Sequence, residues 1–229
     1  MKRLNEIAEK IPYIGKVLTT KIRPEHLVAA IGVFIAGEAQ AGGSLELLVG
    51  DKDARTDIKA YGTVTEDADL PTDKVGYFLR NRTSADYKGN STFFAVGDTW
   101  YPIAGGFDAL LEGQAWPGAG LQPRFGMQSF HKFGKLTLYH SSTRSVGPNP
   151  DTEVVVRPTF TPNISGDYNL FLRVEAITNI GDGQFNYATQ RPRIGVQKGD
   201  TTVGVGVDMF QPKGAKGTIN VGAFVEMRR

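Results

Sequence analysis

A side-chain period of two, repeated from residue 44 to the C-terminus, limits what this chain can fold into more than any other feature. In 201–210, Val203, Val205, Val207 and Met209 alternate with Thr202, Gly204, Gly206 and Asp208. In 218–228, Ile219, Val221, Ala223, Val225 and Met227 alternate with Asn220, Gly222, Phe224, Glu226 and Arg228. In 168–177, Leu170, Leu172, Val174 and Ala176 oppose Asn169, Phe171, Arg173 and Glu175, and in 153–161, Val154, Val156, Pro158 and Phe160 oppose Glu153, Val155, Arg157 and Thr159. Successive side chains of a strand point to opposite faces, so each segment has one apolar and one polar side. Turn residues separate the runs, at 88–90, 105–106, 147–150, 181–183 and 198–200. The pattern predicts strands at 44–50, 55–65, 74–83, 91–102, 106–116, 121–131, 134–143, 152–161, 168–179, 184–197, 201–210 and 217–228. That is twelve, with a range of about 10–14, and most match the 9–11 residues a tilted transmembrane strand needs.

Alternation alone fits two architectures. In a soluble β-sandwich the apolar sides share a core; in a membrane barrel they face lipid and the polar sides face a lumen. Three features favour the barrel. Residues 1–41 read as an export signal: Lys2, Arg3, Lys10, Lys16, Lys21 and Arg23, then an apolar run at 27–37, then Ala39, Gln40 and Ala41, which places cleavage after Ala41 and a barrel domain at 42–229. The polar faces carry Arg and Glu among glycines, as at Arg191, Arg193 and Gly195. Aromatic residues stand near strand ends (Trp100, Tyr101, Trp116, Phe133, Phe160, Tyr168, Phe185, Tyr187 and Phe210), where rings form interfacial girdles.

On this pattern residues 42–229 resemble the bacterial outer-membrane β-barrel class, porin-like in character. The resemblance implies a closed antiparallel transmembrane barrel in the outer membrane of a Gram-negative cell, contact with lipid, and insertion by the barrel-assembly machinery. Members of that class end in a strand with a Gly, alternating hydrophobics and a terminal aromatic. Here Gly222, Val225 and Met227 follow the pattern, while the chain ends in Arg228 and Arg229.

Composition excludes several functions. The 26 Lys+Arg against 24 Asp+Glu, a formal net charge of +2, lack the basic excess of a nucleic-acid binder. The absence of cysteine excludes disulfides, thiolate metal sites and a cysteine nucleophile, and three histidines are few for a zinc cluster. No metal or other cofactor is expected. His131 and His140, with Ser141 and Ser142 beside them, form no recognisable triad, so no catalytic residue is assigned and the chain is not read as an enzyme. The acidic run Glu66, Asp67, Asp69 and Asp73 lacks the spacing of a calcium loop.

The expected functional residues are those that would line a lumen: Lys59, Arg80, Arg82, Glu112, Arg124, Glu153, Arg157, Arg173, Glu175, Arg191, Arg193 and Asp208. Arg157, Arg173, Arg191 and Arg193, on three consecutive strands, would make a positive strip that favours anions; cross-strand pairs such as Arg173 with Glu153 would cancel it. The expected function is a passive channel for small solutes with an anion preference. The alternative is a non-catalytic soluble all-β structural or binding protein, such as a virion or secreted sandwich, with residues 1–41 as an ordered helix.

Overall fold

The computed structural model describes residues 42–64 and 75–229. The signal reading of 1–41 and the acidic run at 66–73 lie outside the described residues. Thirteen strands follow in order: β1 (Gly42–Gly50), β2 (Asp53–Val64), β3 (Val75–Asp86), β4 (Ser91–Ala104), β5 (Phe107–Trp116), β6 (Gly120–Phe133), β7 (Leu136–Ser145), β8 (Asp151–Phe160), β9 (Asn163–Ser165), β10 (Tyr168–Gly181), β11 (Gln184–Lys198), β12 (Thr201–Pro212) and β13 (Thr218–Arg228). Every neighbouring pair is antiparallel, and the sheet closes on itself where β1 pairs β13, from Ser44 opposite Arg228 to Gly50 opposite Gly222. β8 stops at Phe160, and after Thr161 and Pro162 the three residues of β9 continue along the same edge of β10. Pro162 has no N–H to give the ladder, but its carbonyl accepts from Leu170 N at 2.9 Å. β8 and β9 therefore make one wall, and the ring has twelve.

Closure answers the backbone's hydrogen-bonding demand. A spanning structure in lipid must satisfy every N–H and C=O internally, and a closed ring has no edge. The single closed sheet also disposes of the sandwich alternative, which needs two sheets sharing a core. Most turns are minimal. Asp182 and Gly183 join β10 to β11 with φ of 49° and 69°, the doubly positive pair of a type I′ hairpin turn.

The registers place each face. Val203, Val205, Val221, Ile194, Leu79 and Leu111 point outward and are exposed, Leu111 at 61%. Glu46, Asp57, Arg124, Glu175, Arg193, Asp208 and Glu226 point inward and are buried. This is the inside-out polarity of a lipid-facing barrel. The described part of the chain is thus a closed twelve-stranded antiparallel barrel with an apolar outer wall and a charged interior.

The interior is uneven. One inward row crosses β10 to β1 as Phe171, Gly195, Gly204, Phe224 and Leu48, each opposite the next in register. Phe171, Phe224 and Leu48 pack together at 0%, 1% and 1% exposure, with the two rings 6.2 Å apart between centroids. The next row reads Arg173, Arg193, Gly206, Gly222 and Gly50. Glycines on β11–β13 and β1 thus leave room for large side chains from neighbouring strands, and the Phe171, Phe224 and Leu48 side chains fill this row.

The aromatic girdle expected from the sequence is corrected in part. Tyr101, Phe133, Phe160, Tyr168 and Phe185 are exposed on the barrel wall. Trp100, Trp116, Tyr187 and Phe210 instead line the interior cavity. Their register decides this: Trp100 faces Gly76 on β3, where a Cβ would come within 2.0 Å of the indole, so the missing side chain makes the space for the ring.

Candidate functional site: the charged lumen

The barrel encloses a cavity of about 1220 Å³. Its lining runs from Tyr61, Phe78 and Trp100, towards the end that carries both Gly42 and Arg229, to Trp116, Asp151 and Thr218 towards the other end. Nine Lys/Arg and seven Asp/Glu side chains line it, so its wall is slightly positive.

Of the residues expected in the lumen, Lys59, Arg80, Arg82, Glu112, Arg124, Glu153, Arg157, Arg173, Glu175 and Arg191 border this cavity. Arg193 and Asp208 are also buried inside the barrel but do not border it. Arg193 lies against Gly206, where a Cβ would meet its Cδ at 2.7 Å.

Ion pairs cross the barrel as well as running along the wall. Glu175 on β10 receives Arg80 through two N–H groups at 3.0 Å each and Arg82 at 3.1 Å, both from β3. Five strands separate β3 from β10 in either direction, so these bonds join opposite walls. Asp57 braces the same arginines, 2.6 Å from Arg80 and 2.9 Å from Arg82, and lies 3.5 Å from Lys59 Nζ. A second knot gathers Arg173 and Arg193 around Glu46. Arg193 donates to Glu46 at 2.8 Å, Arg173 bonds the same carboxylate, and Arg173 also reaches Glu226 at 2.6 Å. Asp208 sits 2.8 Å from Arg193 and 2.8 Å from Arg55.

A third cluster belongs to the opposite wall. Arg124, 1% exposed, lies 3.2 Å from Glu112 and 2.5 Å from Asp151. Gln114 donates to Glu112 and Glu153, each at 2.9 Å, and Tyr187 donates its hydroxyl to Glu153.

The proposed positive strip is therefore broken up by acid. Arg191 is held by Glu175 at 2.8 Å, and Arg173 and Arg193 by Glu46. Arg157 is the loosest of the four, 3.9 Å from Glu175 with its guanidinium 4.9 Å above the Tyr139 ring. Arg173 does not meet Glu153. Arg173 is opposite Thr159 in register, and Glu153 is opposite Asn179, six residues further along β10 and roughly 20 Å away at 3.3 Å per residue.

Sequence reasoning missed Arg55 and Asp98. Arg55 binds Asp53 and Asp208. Asp98 is buried on a β4 face that reads Thr92, Phe94, Val96, Asp98 and Trp100, too apolar to look like a lumen face. Its visible signal was register: in the same row stand Glu112 and Arg124. His140 and Ser141 are consecutive on β7 and so point to opposite faces, Ser141 inward and buried. Among the described residues no group of three or more His, Cys, Asp or Glu is arranged to hold a metal ion.

No protein-family model matches the sequence, and no curated protein matches it. Among solved structures, CdiB from Acinetobacter baumannii is similar at 8% identity and a TM-score of 0.38, over 83% of this chain and 60% of that one. OmpT, an outer membrane protein of Vibrio cholerae in its trimer form, is similar at 11% identity and a TM-score of 0.32, over 82% of this chain and 98% of that one. The chain thus spans less than two thirds of the length of CdiB.

Proposed function

We propose that this protein is a passive outer-membrane channel for small solutes, with a weak preference for anions. The observation that carries the reading is the cavity of about 1220 Å³, walled by charged side chains between the two ends of the barrel. A water-filled lumen with polar walls lets small solutes move by diffusion, and ring charges set their selectivity. The anion preference is weak because the arginines are mostly paired. It rests on the excess of nine cations over seven anions in the wall and on Arg157, the most weakly paired of them. In this reading residues 1–41 are the export signal, cleaved after Ala41, and the barrel-assembly machinery inserts the mature chain.

Planar-bilayer recording tests it. At low salt the reversal potential should favour anions slightly, and Arg157→Gln should move it towards cations. Raising the salt should flatten the difference, because exposed charges are screened over about 10 Å at 0.1 M. Conduction without preference removes the anion assignment; no conduction removes the channel. Mass spectrometry of the membrane-derived protein should show a mature N-terminus at Gly42, and an intact Met1 there removes the cleavage assignment.

A further inference from the structure

Buried carboxylates in this lumen have partners, with one conspicuous shortfall. Glu175, Glu46, Glu226 and Asp57 are each held by arginines. Glu112 has Arg124, Gln114 and Thr143. Asp98, opposite Glu112 on the neighbouring strand, is 7% exposed, lines the cavity, and has an Oδ1 with no hydrogen-bond partner among the described residues. No cation of the described residues forms an ion pair with it. A buried carboxylate without a donor is unfavourable by its full desolvation penalty, whereas a cation placed against it recovers that energy.

The surroundings specify the kind of cation. Phe78 is the register partner of Asp98 on β3, and Trp100 is the next inward residue on β4. Both line the same cavity, as does Tyr139. The indole of Trp100 lies against Gly76, in the space a side chain there would take. A carboxylate among aromatic rings suits an ammonium carried on an apolar body, because ring faces attract cations and ring edges pack hydrocarbon. A metal ion would need several oxygen or nitrogen ligands, and the described residues offer no such group.

We propose that Asp98, with Glu112 beside it and Trp100 and Phe78 flanking it, forms a binding site in the lumen for a small arylalkyl- or alkylammonium. The site rests on the channel reading only in that the ligand must reach the cavity from solvent. It sits on the β4–β5 wall, three strand steps along the ring from Glu46 on β1 and six from Arg193 on β11 as counted from β4, so it coexists with a weak overall anion preference.

The protein carries two tryptophans, Trp100 and Trp116, and both line this cavity, so their emission reports on its contents. The probe is 2-phenylethylammonium, titrated into the folded protein in lipid vesicles with tryptophan excited selectively. A saturable change in emission is expected, with 2-phenylethanol and 3-phenylpropionate binding at least about tenfold more weakly, a difference of about 1.4 kcal/mol. Asp98→Asn should weaken the ammonium by a similar factor, and Asp98→Glu should restore part of it. An unsaturable response, or equal affinity for the ammonium and the alcohol, overturns the site, and that comparison needs no variant to fold. Conductance of the same preparation separates the two proposals. A protein that conducts without binding the probe loses the site and keeps the channel; one that binds without conducting keeps the site and loses the channel.

Discussion

Glu175→Gln is the substitution that bears hardest on the transverse ion pairs. Glutamine keeps the size and one acceptor oxygen but removes the charge shared by Arg80, Arg82 and Arg191, at 3.0, 3.1 and 2.8 Å, with Arg157 at 3.9 Å. Asp57 remains for Arg80 and Arg82, while Arg191 falls back on Asp208, 4.0 Å away. Removing one partner of a buried pair leaves uncompensated charge and destabilises by about 3–5 kcal/mol. Glu175 borders the cavity, which in the channel reading holds water, so the lower end of that range, about 3 kcal/mol, is expected. Urea unfolding from lipid vesicles measures it, read as a fall in midpoint at unchanged slope. A double-mutant cycle with Arg80→Gln should show coupling well above 0.5 kcal/mol. A loss under about 1 kcal/mol, the value of an exposed pair, would refute the view that Glu175 ties the two walls together. The same variant should raise single-channel conductance, since the bonds that cross the lumen are the ones it loosens.

Two further outcomes follow from the assignment of faces. Val205→Arg, on the lipid side, should destabilise bilayer folding by about 2–4 kcal/mol if it lies near the midplane; Gly206→Arg should fare no better, because even a Cβ there would meet Arg193 at 2.7 Å, and folding yields into vesicles check both. Gly76→Ala would put a Cβ within 2.0 Å of the Trp100 indole, so it should displace the ring and shift tryptophan emission, a result absent in a protein whose Trp100 faces lipid.

The strands were legible in the sequence because two local signals agree along most of the chain: alternation names the element and glycine-rich turns end it. Each of the twelve long strands lies within a few residues of its sequence reading. The polar side of 168–177 was readable as an inward face even though it contains Phe171, since Asn169, Arg173 and Glu175 share it. Which charges meet was not readable. Arg80 meets Glu175 only because ring closure brings β3 opposite β10, and no spacing along the chain encodes that. Trp100 and Trp116 were misplaced for a related reason. An aromatic residue near a strand end serves equally as an interfacial anchor or as a lumen wall, and Gly76, on the neighbouring strand, decides between them.

The uneven lumen is itself written in glycine. Phe171 and Phe224 stand three strand steps apart, roughly 14 Å at 4.8 Å per step, yet their rings meet with centroids 6.2 Å apart. They can lean together because the two positions between them, Gly195 and Gly204, have no side chains. There the backbones themselves are close: a Cβ on Gly204 would lie 2.1 Å from the Ile194 carbonyl oxygen and 2.5 Å from Gly195 Cα. Backbone atoms cannot step aside as a flexible side chain can, so Gly204→Ala must separate β11 from β12 and should destabilise by about 1–3 kcal/mol. Gly97, in the interior of β4 but facing outward, is the control. Its Cβ would meet only Leu79 Cδ2, at 3.4 Å, so Gly97→Ala should be neutral or stabilise by about 0.4–1 kcal/mol through the unfolded chain. Both variants remove the same flexibility from the same kind of element, so their difference isolates the close approach. Equal stabilities in urea titrations would mean that β11 and β12 are not pressed together at Gly204, and the packing of Phe171 on Phe224 would lose its explanation.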